Sequence, residues 1–498
     1  MAKRTWVTLH KAGELSSRPV AEIIHLTYAG VLETRMIGGA LVVPCDQVLD
    51  LPPVGFGAAS GVEELADAYT SEGDGVDDAD DEAERKARSR SVLAVVNNPS
   101  VGLIALADHL HDLIRQSRPP KRKPAPENEA RFKATLLSFT TAIATIALMR
   151  IPPLEGVSVA FGEAKYIGSD ISVTALRTIR DALSDLGLIV FRRGFNDRVR
   201  PEKSYPTGIR HTGEFADLAR SFGITPEDVF TPPAKVIAIR DAADPSLKMP
   251  DDVAESADVI RRYNEAVTQW SLTLPEASWV ELERRVIAAD KAGKTKKLHR
   301  GYDPNRVFLT RRFAESWDRG GRLYDPHFQA MPKDIRAELL IDCEPTVELD
   351  YSRLHPTMLF NQEGLELDRD PYEVPGFNVS KKAAKETFNR LLNSRKKISF
   401  RKKDRKYFGN KGAFKRYRSA MVRHLKPIAH HFQSDSGARL QKLDSEIALA
   451  VIARCLNDGI EVYPVHDSFI VKRSSLERLK LIMEEEYRKL MGFNCSVG

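Results

Sequence analysis

The chain has 498 residues, of which 42% are hydrophobic and 29% charged, and its formal net charge is +6. This length suits two to four domains of a globular protein. No apolar run approaches the roughly 18 residues of a membrane span, and the first residues lack the apolar segment of a secretory signal. Together with four scattered cysteines that lack paired spacing, this predicts a cytoplasmic protein without a membrane partner.

The first quarter of the chain alternates between folded and unfolded character. Residues 1–60 form an N-terminal region of unknown role, in which the segment 21–44 is expected to hold two strands. Residues 63–84 contain eleven acidic side chains and no basic one, so we expect residues 61–90 to be an acidic, disordered linker. Residues 91–128 are expected to form a helix followed by a proline-rich, basic linker.

Residues 129–232 have the pattern of a winged-helix-like domain. A long apolar helix ends before Pro152, and a second helix is expected at residues 170–188, with Ser172 as its N-cap and Gly187 just beyond its end. A strand, a basic loop and another strand follow, which is the order of a β-wing. Winged helices bind DNA or other proteins, and both roles stay open here. Residues 233–305 are expected to form a helical, thumb-like connector.

Positive charge is concentrated in one part of the chain. Residues 381–418 contain sixteen Lys or Arg side chains against two acids, Glu386 and Asp404. The rest of the chain is therefore acidic on balance, and the segment indicates a polyanionic partner such as nucleic acid.

Two β-rich runs end in an aspartate. They are TVELDYSRLHPTM, which contains Asp350, and VYPVHDSFIVK, which contains Asp467. Carboxylates on neighbouring strands can hold a pair of divalent cations about 4 Å apart, the arrangement that serves phosphoryl transfer. The two runs together therefore predict a nucleotidyl-transfer site.

Four segments in order resemble a known family. WDRGGRLYDPHF is similar to the segment that precedes the first catalytic aspartate of bacteriophage-type single-subunit RNA polymerases. LDYSRLHP resembles motif A of family A DNA polymerases and its family B counterpart, KKAAKETFNRLLN resembles motif B, and PVHDSFIV resembles motif C. The resemblance covers residues 306–498 and implies a right-hand polymerase with an antiparallel palm sheet, helical fingers and a thumb.

The resemblance implies roles for the residues nearest the chemistry. Asp350 and Asp467, together with the Tyr351 carbonyl, would hold two Mg²⁺ ions, for which Mn²⁺ could substitute. Lys385 would act as a catalytic residue by protonating the leaving pyrophosphate, and Lys381 would help to bind the triphosphate. Phe388 would stack on the incoming base.

Further residues are expected to bind the sugar and the nucleic acid. His355 occupies the position at which DNA polymerases of families A and B place a bulky side chain against a ribose 2′-hydroxyl, so it favours deoxynucleotides. Asn393 and Ser394 depart from the tyrosine and glycine that help the family to sense the sugar. The expected contacts with template and primer involve Arg322, Gln441, His466, Arg401, Lys402 and Arg405.

We therefore expect an α+β right-hand polymerase with an N-terminal winged-helix-like domain, and with the palm and fingers in residues 306–498. The predicted function is template-directed DNA synthesis from dNTPs on a primed DNA template, for the replication of a mobile element such as a plasmid or phage. Priming activity and contacts with replication proteins of the same element are also expected. Two alternatives stay open, a single-subunit RNA polymerase or primase and a non-catalytic DNA-binding replication initiator.

Overall fold

The computed structural model describes three short N-terminal strands and then residues 96, 98–153, 156–161, 169–194, 207–240, 247–291 and 301–498. The acidic linker predicted for residues 61–90 lies outside the described residues. The three N-terminal strands form an antiparallel sheet in the order β1-β3-β2; they are β1 (Trp6–Thr8), β2 (Arg35–Ile37) and β3 (Ala40–Pro44). Strands β2 and β3 are the two that the sequence predicts within residues 21–44.

A first hydrophobic core contains five helices and a three-stranded antiparallel sheet of order β4-β6-β5. Its elements are α1 (Val101–Ser117), α2 (Pro126–Leu148), β4 (Val157–Val159), α3 (Val173–Asp185), β5 (Ile189–Arg192), β6 (Thr207–His211), α4 (Gly213–Ser221) and α5 (Pro226–Val229). Along the chain these elements follow the order helix, strand, helix and two strands, and the winged-helix-like domain stays a prediction. The loop between β5 and β6, where the wing would lie, falls mostly outside the described residues.

The local signals of α3 act as the sequence predicts. The Ser172 hydroxyl accepts a hydrogen bond from the Ala175 N–H and caps the helix. Beyond the last turn, Gly187 has a φ of +74°, a backbone conformation that glycine adopts without strain. Helix α1 also packs into this core through Leu103, Leu106 and other apolar side chains, so the core begins well before residue 129.

A second and larger core contains the rest of the described chain. Its helices are α6 (Asp251–Ala266), α7 (Glu276–Lys291), α8 (Lys333–Arg336), α9 (Leu354–Gln362), α10 (Lys381–Asn393), α11 (Arg405–Phe408), α12 (Lys411–His424), α13 (Ser436–Asn457) and α14 (Leu476–Met491). Its strands are β7 (Ile237–Arg240), β8 (Leu272–Thr273), β9 (Thr310–Ala314), β10 (Ser316–Tyr324), β11 (Leu340–Ile341), β12 (Glu344–Asp350), β13 (Tyr463–Val465) and β14 (Ser468–Lys472).

The strands of the larger core form two sheets. One is five-stranded, in the order β13-β14-β12-β11-β8, and the other has the order β10-β9-β7, with β7 parallel to β9. Strands β7 and β8 come from the segment that the sequence predicts as a thumb-like connector. This segment therefore contributes to the same sheets as the residues beyond 306.

Helix α13 is the element that joins the larger core together. It packs against β10, α6, α10 and α14, and its buried side chains include Leu440, Ile447, Val451 and Ile452. Among the residues that the structure describes, no helix has the length and apolar character needed to cross a bilayer. The described chain is a mixed α and β protein, as expected.

Candidate active site

The two aspartates singled out from the sequence lie at the same end of the five-stranded sheet. Strand β12 ends at Asp350, and its antiparallel register with β14 places Asp350 opposite Ser468. Directly opposed residues in such a ladder have Cα atoms about 4.5–5.5 Å apart. Because Asp467 immediately precedes Ser468, both aspartates belong to one small patch. Asp350 is exposed and Asp467 is half-buried, so solvent reaches both.

Asp467 lies in the two-residue turn between β13 and β14. The other turn residue, His466, has a φ of +61°, and Val465 pairs with Ser468 across the turn. The imidazole of His466 packs edge-on against the ring of Tyr324, with centroids 5.4 Å apart. This turn holds the second carboxylate in a fixed position beside β12, and the expected contact of His466 with a primer end stays a prediction.

A hydrogen-bonded group beneath the turn fixes the register of the two strands. The Ser468 hydroxyl donates to Glu348 at 2.7 Å, and Glu348 accepts two hydrogen bonds from the Arg336 guanidinium, at 2.8 and 3.0 Å. Burial alone would raise the pKa of Glu348, but Arg336 outweighs this effect and lowers the pKa from its ordinary value. A slip by one residue would break both contacts and turn Asp350 to the other face.

The oxygen atoms at this sheet end suit a hard divalent cation. The Asp350 carbonyl accepts from the Gly498 N–H at 3.0 Å. Because successive carbonyls of an extended strand point to opposite sides, the Tyr351 carbonyl faces the β14 side, where Asp467 lies. The Tyr351 ring is buried, and its hydroxyl donates to the Met483 carbonyl at 2.7 Å. Two carboxylates and one carbonyl are the donor types that Mg²⁺ and Mn²⁺ prefer.

A buried carboxylate that the sequence analysis missed lies beside this pair. Asp444 on α13 has a side chain only 1% exposed. It accepts hydrogen bonds from Arg322 Nη2 at 2.6 Å and from Arg322 Nε at 3.1 Å. His355 Nε2 lies 2.9 Å from the same carboxylate. One acid thus joins strand β10, helix α9 and helix α13.

The pKa values of Asp444 and Arg322 depend on the charges that surround them. Burial alone would raise the pKa of Asp444, but the Arg322 charge and the contact with His355 outweigh it, so the pKa is lowered. Burial alone would lower the pKa of Arg322, but the negative charges of Asp444 and Asp467 hold it above its usual range. The interaction with Asp467 connects the buried group to the candidate metal-binding pair.

Arg322 and His355 both contact a buried carboxylate, which the sequence did not predict. Arg322 was expected to contact the template or primer, whereas in the structure its Nε and Nη2 atoms donate to Asp444. The side chain is 14% exposed, and that of His355 is 21% exposed. Both side chains border the site, and both contact the Asp444 carboxylate.

Gln441 lies on the same helix as Asp444, one turn earlier. Residues three apart on a helix share a face, so Gln441 is on the side of α13 that carries Asp444, and it is half-buried. This placement is compatible with the expected contact with primer and template, which stays a prediction.

Helix α10 runs from Lys381 to Asn393, the segment that resembles motif B, and the Ser380 hydroxyl caps it. Its buried face packs on α13. Lys381 and Lys385 are exposed, and Lys381 Nζ lies 3.5 Å from Asp370. Two cations one turn apart on an exposed face can bind a polyphosphate.

Phe388 differs from its expected role of stacking on a base. Its ring is 0% exposed and packs edge-on against Tyr372 and Phe432, with centroids 5.9 and 5.8 Å away. A ring enclosed in this way offers no face to a nucleotide, so the structure places Phe388 in the core. The spacing of Ala384, Phe388 and Leu391 is the apolar stripe of a helix, and this signal could have shown the burial.

In the basic segment of residues 401–418, two aromatic rings are buried and most of the cations are exposed. Phe414 and Tyr417 are buried and pack with Phe408, whose ring centroid lies 5.2 Å from each of theirs. Phe408, Phe414 and Tyr417 therefore pack together as part of the core. Positive side chains cover the exposed surface; those exposed are Lys402, Lys403, Arg405, Lys406, Lys411, Lys415 and Arg416.

Arg401 has several local partners. Its Nη2 donates to Glu386 on α10 at 2.6 Å, and its backbone N–H donates to the buried Asp404 at 2.7 Å. Asp404 also accepts from Arg390 at 3.0 and 3.1 Å. The two acids of the segment hold its fold together, while Lys402 and Arg405 face solvent and suit nucleic-acid contacts.

A separate group of metal-ligating side chains lies at the far end of α9. Glu363 lies 2.9 Å from His431 Nε2 and 3.1 Å from His430 Nε2, and the possible ligand atoms are all within 4.8 Å of one another. The two imidazoles and the carboxylate also satisfy one another as ion pairs. This group is not evidence of Mg²⁺ binding, because Mg²⁺ prefers oxygen donors.

Comparison with known proteins gives no family for this chain. No protein-family model matches it. No curated protein matches it. Its function is therefore inferred from the geometry of the site.

Proposed function

We propose that this protein is a template-directed DNA polymerase. The observation that carries the proposal is the register of β12 and β14, which brings Asp350 and Asp467 to one sheet end. The pair lies beside the Arg322–Asp444–His355 group, and helix α10 with its exposed lysines packs on the helix that carries Asp444. A carboxylate pair with nearby cations suits a reaction in which negative charge builds up on phosphate oxygens.

The roles of the acidic residues follow from their oxygen atoms. Asp350, Asp467 and the Tyr351 carbonyl would hold two divalent cations, which make the primer 3′-hydroxyl easier to deprotonate and stabilise the charge of the leaving group. The 3′-hydroxyl gives its proton to solvent water, and its oxygen bonds to the α-phosphorus of a dNTP as the bond to pyrophosphate breaks. Lys385 supplies a proton to the pyrophosphate oxygen, and Lys381 balances its charge.

The surface charge supports a nucleic-acid substrate. The exposed cations of residues 402–416 form a basic surface that continues from α10, and such a surface binds phosphates with little regard to sequence. The winged-helix-like domain would bring the polymerase to its template. These features together fit replication of a mobile element, with chain initiation by the same protein as a further property to test.

Primer extension tests the proposal. Purified full-length protein is given primed or unprimed DNA templates, Mg²⁺, and either dNTPs or NTPs. We expect extension of primed DNA with dNTPs. Asp350→Asn and Asp467→Asn should each lower the rate at least a thousandfold, whereas Asp258→Asn, which alters an exposed carboxylate on α6, should leave it unchanged.

The same assay separates the alternatives. Synthesis from NTPs alone would indicate an RNA polymerase or primase. DNA binding without synthesis, equal in the wild type and both site variants, would overturn the proposal in favour of a replication initiator. Activity that survives Asp467→Asn would contradict the assignment of the carboxylate pair.

A further inference from the structure

Asp444 contacts Arg322 and His355 in a polar group at the border of the candidate site. Its three members come from α13, β10 and α9, and Asp444 is buried while the other two border the site. The carboxylate oxygen Oδ2 lies within hydrogen-bonding distance of both Arg322 Nη2 and His355 Nε2. One atom thus fixes the separation of two side chains from different elements.

These contacts determine which nitrogen of His355 carries a proton. Arg322 Nη2 can only donate, and Asp444 can only accept while it is ionised. At 2.9 Å from the carboxylate, His355 Nε2 must carry a hydrogen and donate it to Asp444. The 3.4 Å approach of Arg322 Nη2 to the same nitrogen is then a contact between two donors that share one acceptor. The neutral imidazole therefore has its acceptor at Nδ1.

An imidazole ring that is held in place can exclude an extra hydroxyl group on a substrate better than a mobile ring can. A side chain that can change rotamer moves aside for an extra hydroxyl group, whereas a ring held by a charge-assisted hydrogen bond does so only if that bond breaks. His355 is the second residue of α9 and follows Asp350, the last residue of β12, by five positions. The imidazole ring of His355 is therefore held in one position beside the Asp350–Asp467 pair.

We propose that Asp444 is a positioning residue that makes this site selective for deoxynucleotides, because it holds His355 rigid where a ribose 2′-hydroxyl would lie. This inference rests on the proposed polymerase function. It adds that selectivity depends on a buried acid behind the imidazole as much as on the imidazole itself. Asp444 acts through His355 and makes no contact of its own with the nucleotide.

Selectivity is measured as the ratio of kcat/KM for a dNTP to that for the matching NTP. Asp444→Asn should lower this ratio at least tenfold. The matched control is Asp458→Asn, since Asp458 ends the same helix and accepts from Arg478 Nε at 3.0 Å away from this group; its ratio should equal that of the wild type. A mere loss of stability would lower both kcat/KM values together and leave the ratio unchanged, which would overturn the proposal.

A double-mutant cycle shows whether Asp444 works through His355. His355→Gly should itself reduce the ratio, and adding Asp444→Asn to it should change the ratio no further. Independent, multiplicative effects of the two substitutions would contradict the mechanism.

A third measurement needs neither activity nor a folded Asp444 variant. In wild-type protein labelled with ¹⁵N-histidine, two-bond couplings at pH 8.5 should report His355 as the Nε2–H tautomer, with its signal assigned by its loss in His355→Gln. An Nδ1–H tautomer would overturn the positioning role. If the wild type shows this tautomer but performs no synthesis, the proposed function fails and the selectivity inference falls with it, while the contact itself stands.

Discussion

Ser468 lies opposite Asp350 in the ladder between β12 and β14, and its hydroxyl donates to Glu348, two residues before Asp350 on the same strand. Ser468 is 5% exposed. Ser468→Ala should therefore destabilise the protein by about 1–2 kcal/mol, the cost of leaving a buried acceptor with one partner fewer. Urea denaturation measures this cost.

The same substitution should also affect the carboxylate pair. Without the bond to Glu348, the turn that carries Asp467 is less firmly held, so we expect the rate of primer extension to fall about tenfold and the Mg²⁺ concentration for half-maximal rate to rise. Ser474→Ala removes a hydroxyl that donates to Glu344 on the exposed side of the sheet and is the control. Equal extension rates in the two variants would contradict the role of Ser468.

Asp444 should make stability depend on pH in a defined window. Its folded-state pKa is lowered, so its ionised form stabilises the protein above the unfolded-state pKa of about 3.9. This contribution is lost as the pH falls through the lower, folded-state pKa. At pH 7, Asp444→Asn should cost about 3 kcal/mol, since it leaves Arg322 without its buried partner.

Equilibrium denaturation of the wild type and Asp444→Asn from pH 8 to pH 3 tests this expectation. The difference in unfolding free energy should stay level down to about pH 5 and shrink below pH 4. A difference that is constant throughout would show that the carboxylate charge is not the source of the stability.

Phe388 should behave as a core residue. Phe388→Ala removes a fully buried ring and should cost about 3–5 kcal/mol, whereas Leu365→Ala, at a side chain 43% exposed, should change stability by less than about 0.5 kcal/mol. Phe388→Leu should retain most of the stability and bind dNTPs with unchanged affinity. A selective loss of nucleotide binding in the folded Phe388→Leu variant would restore the stacking role.

The exposed cations after α10 should determine how DNA binding depends on salt. Each phosphate that loses its Lys or Arg partner lowers the slope of log K against log salt by about 0.9 for duplex DNA. Replacing Lys402, Arg405 and Lys406 by Gln should therefore lower the slope by about two to three. Lys480→Gln, at an exposed position on α14, should not alter it, and fluorescence anisotropy at 50–300 mM NaCl gives both values.

Helix ends can be predicted from the sequence where capping residues a few positions away determine them. Helix α3 is the clearest case, because the N-cap expected at Ser172 forms and its hydroxyl accepts from the Ala175 N–H. The aspartates are also brought together as expected, because each ends or adjoins a β-rich run that the core requires. The helix cap depends on a short stretch of chain, whereas the pairing of the two aspartate-bearing runs rests on a resemblance that covers the whole of residues 306–498.

The Asp444 group was not predicted, because its contacts join residues that are 33 to 122 positions apart in the chain. One signal was nevertheless present. Asp444 follows Leu440 by four residues and precedes Ile447 by three, which places an acid on the apolar face of a helix. A carboxylate at such a position needs a cationic partner, and the sequence alone does not say which arginine supplies it.

The pairing of β12 with β14 also sets when the protein can become active during its synthesis. Ser468 and Glu348 are 120 residues apart, so a ribosome must deliver most of the larger core before the partner of β12 emerges. Until then the strand presents an open edge, which is prone to pairing with other chains. Slow, late folding and a need for chaperones are the expected cost of building one site from two distant strands.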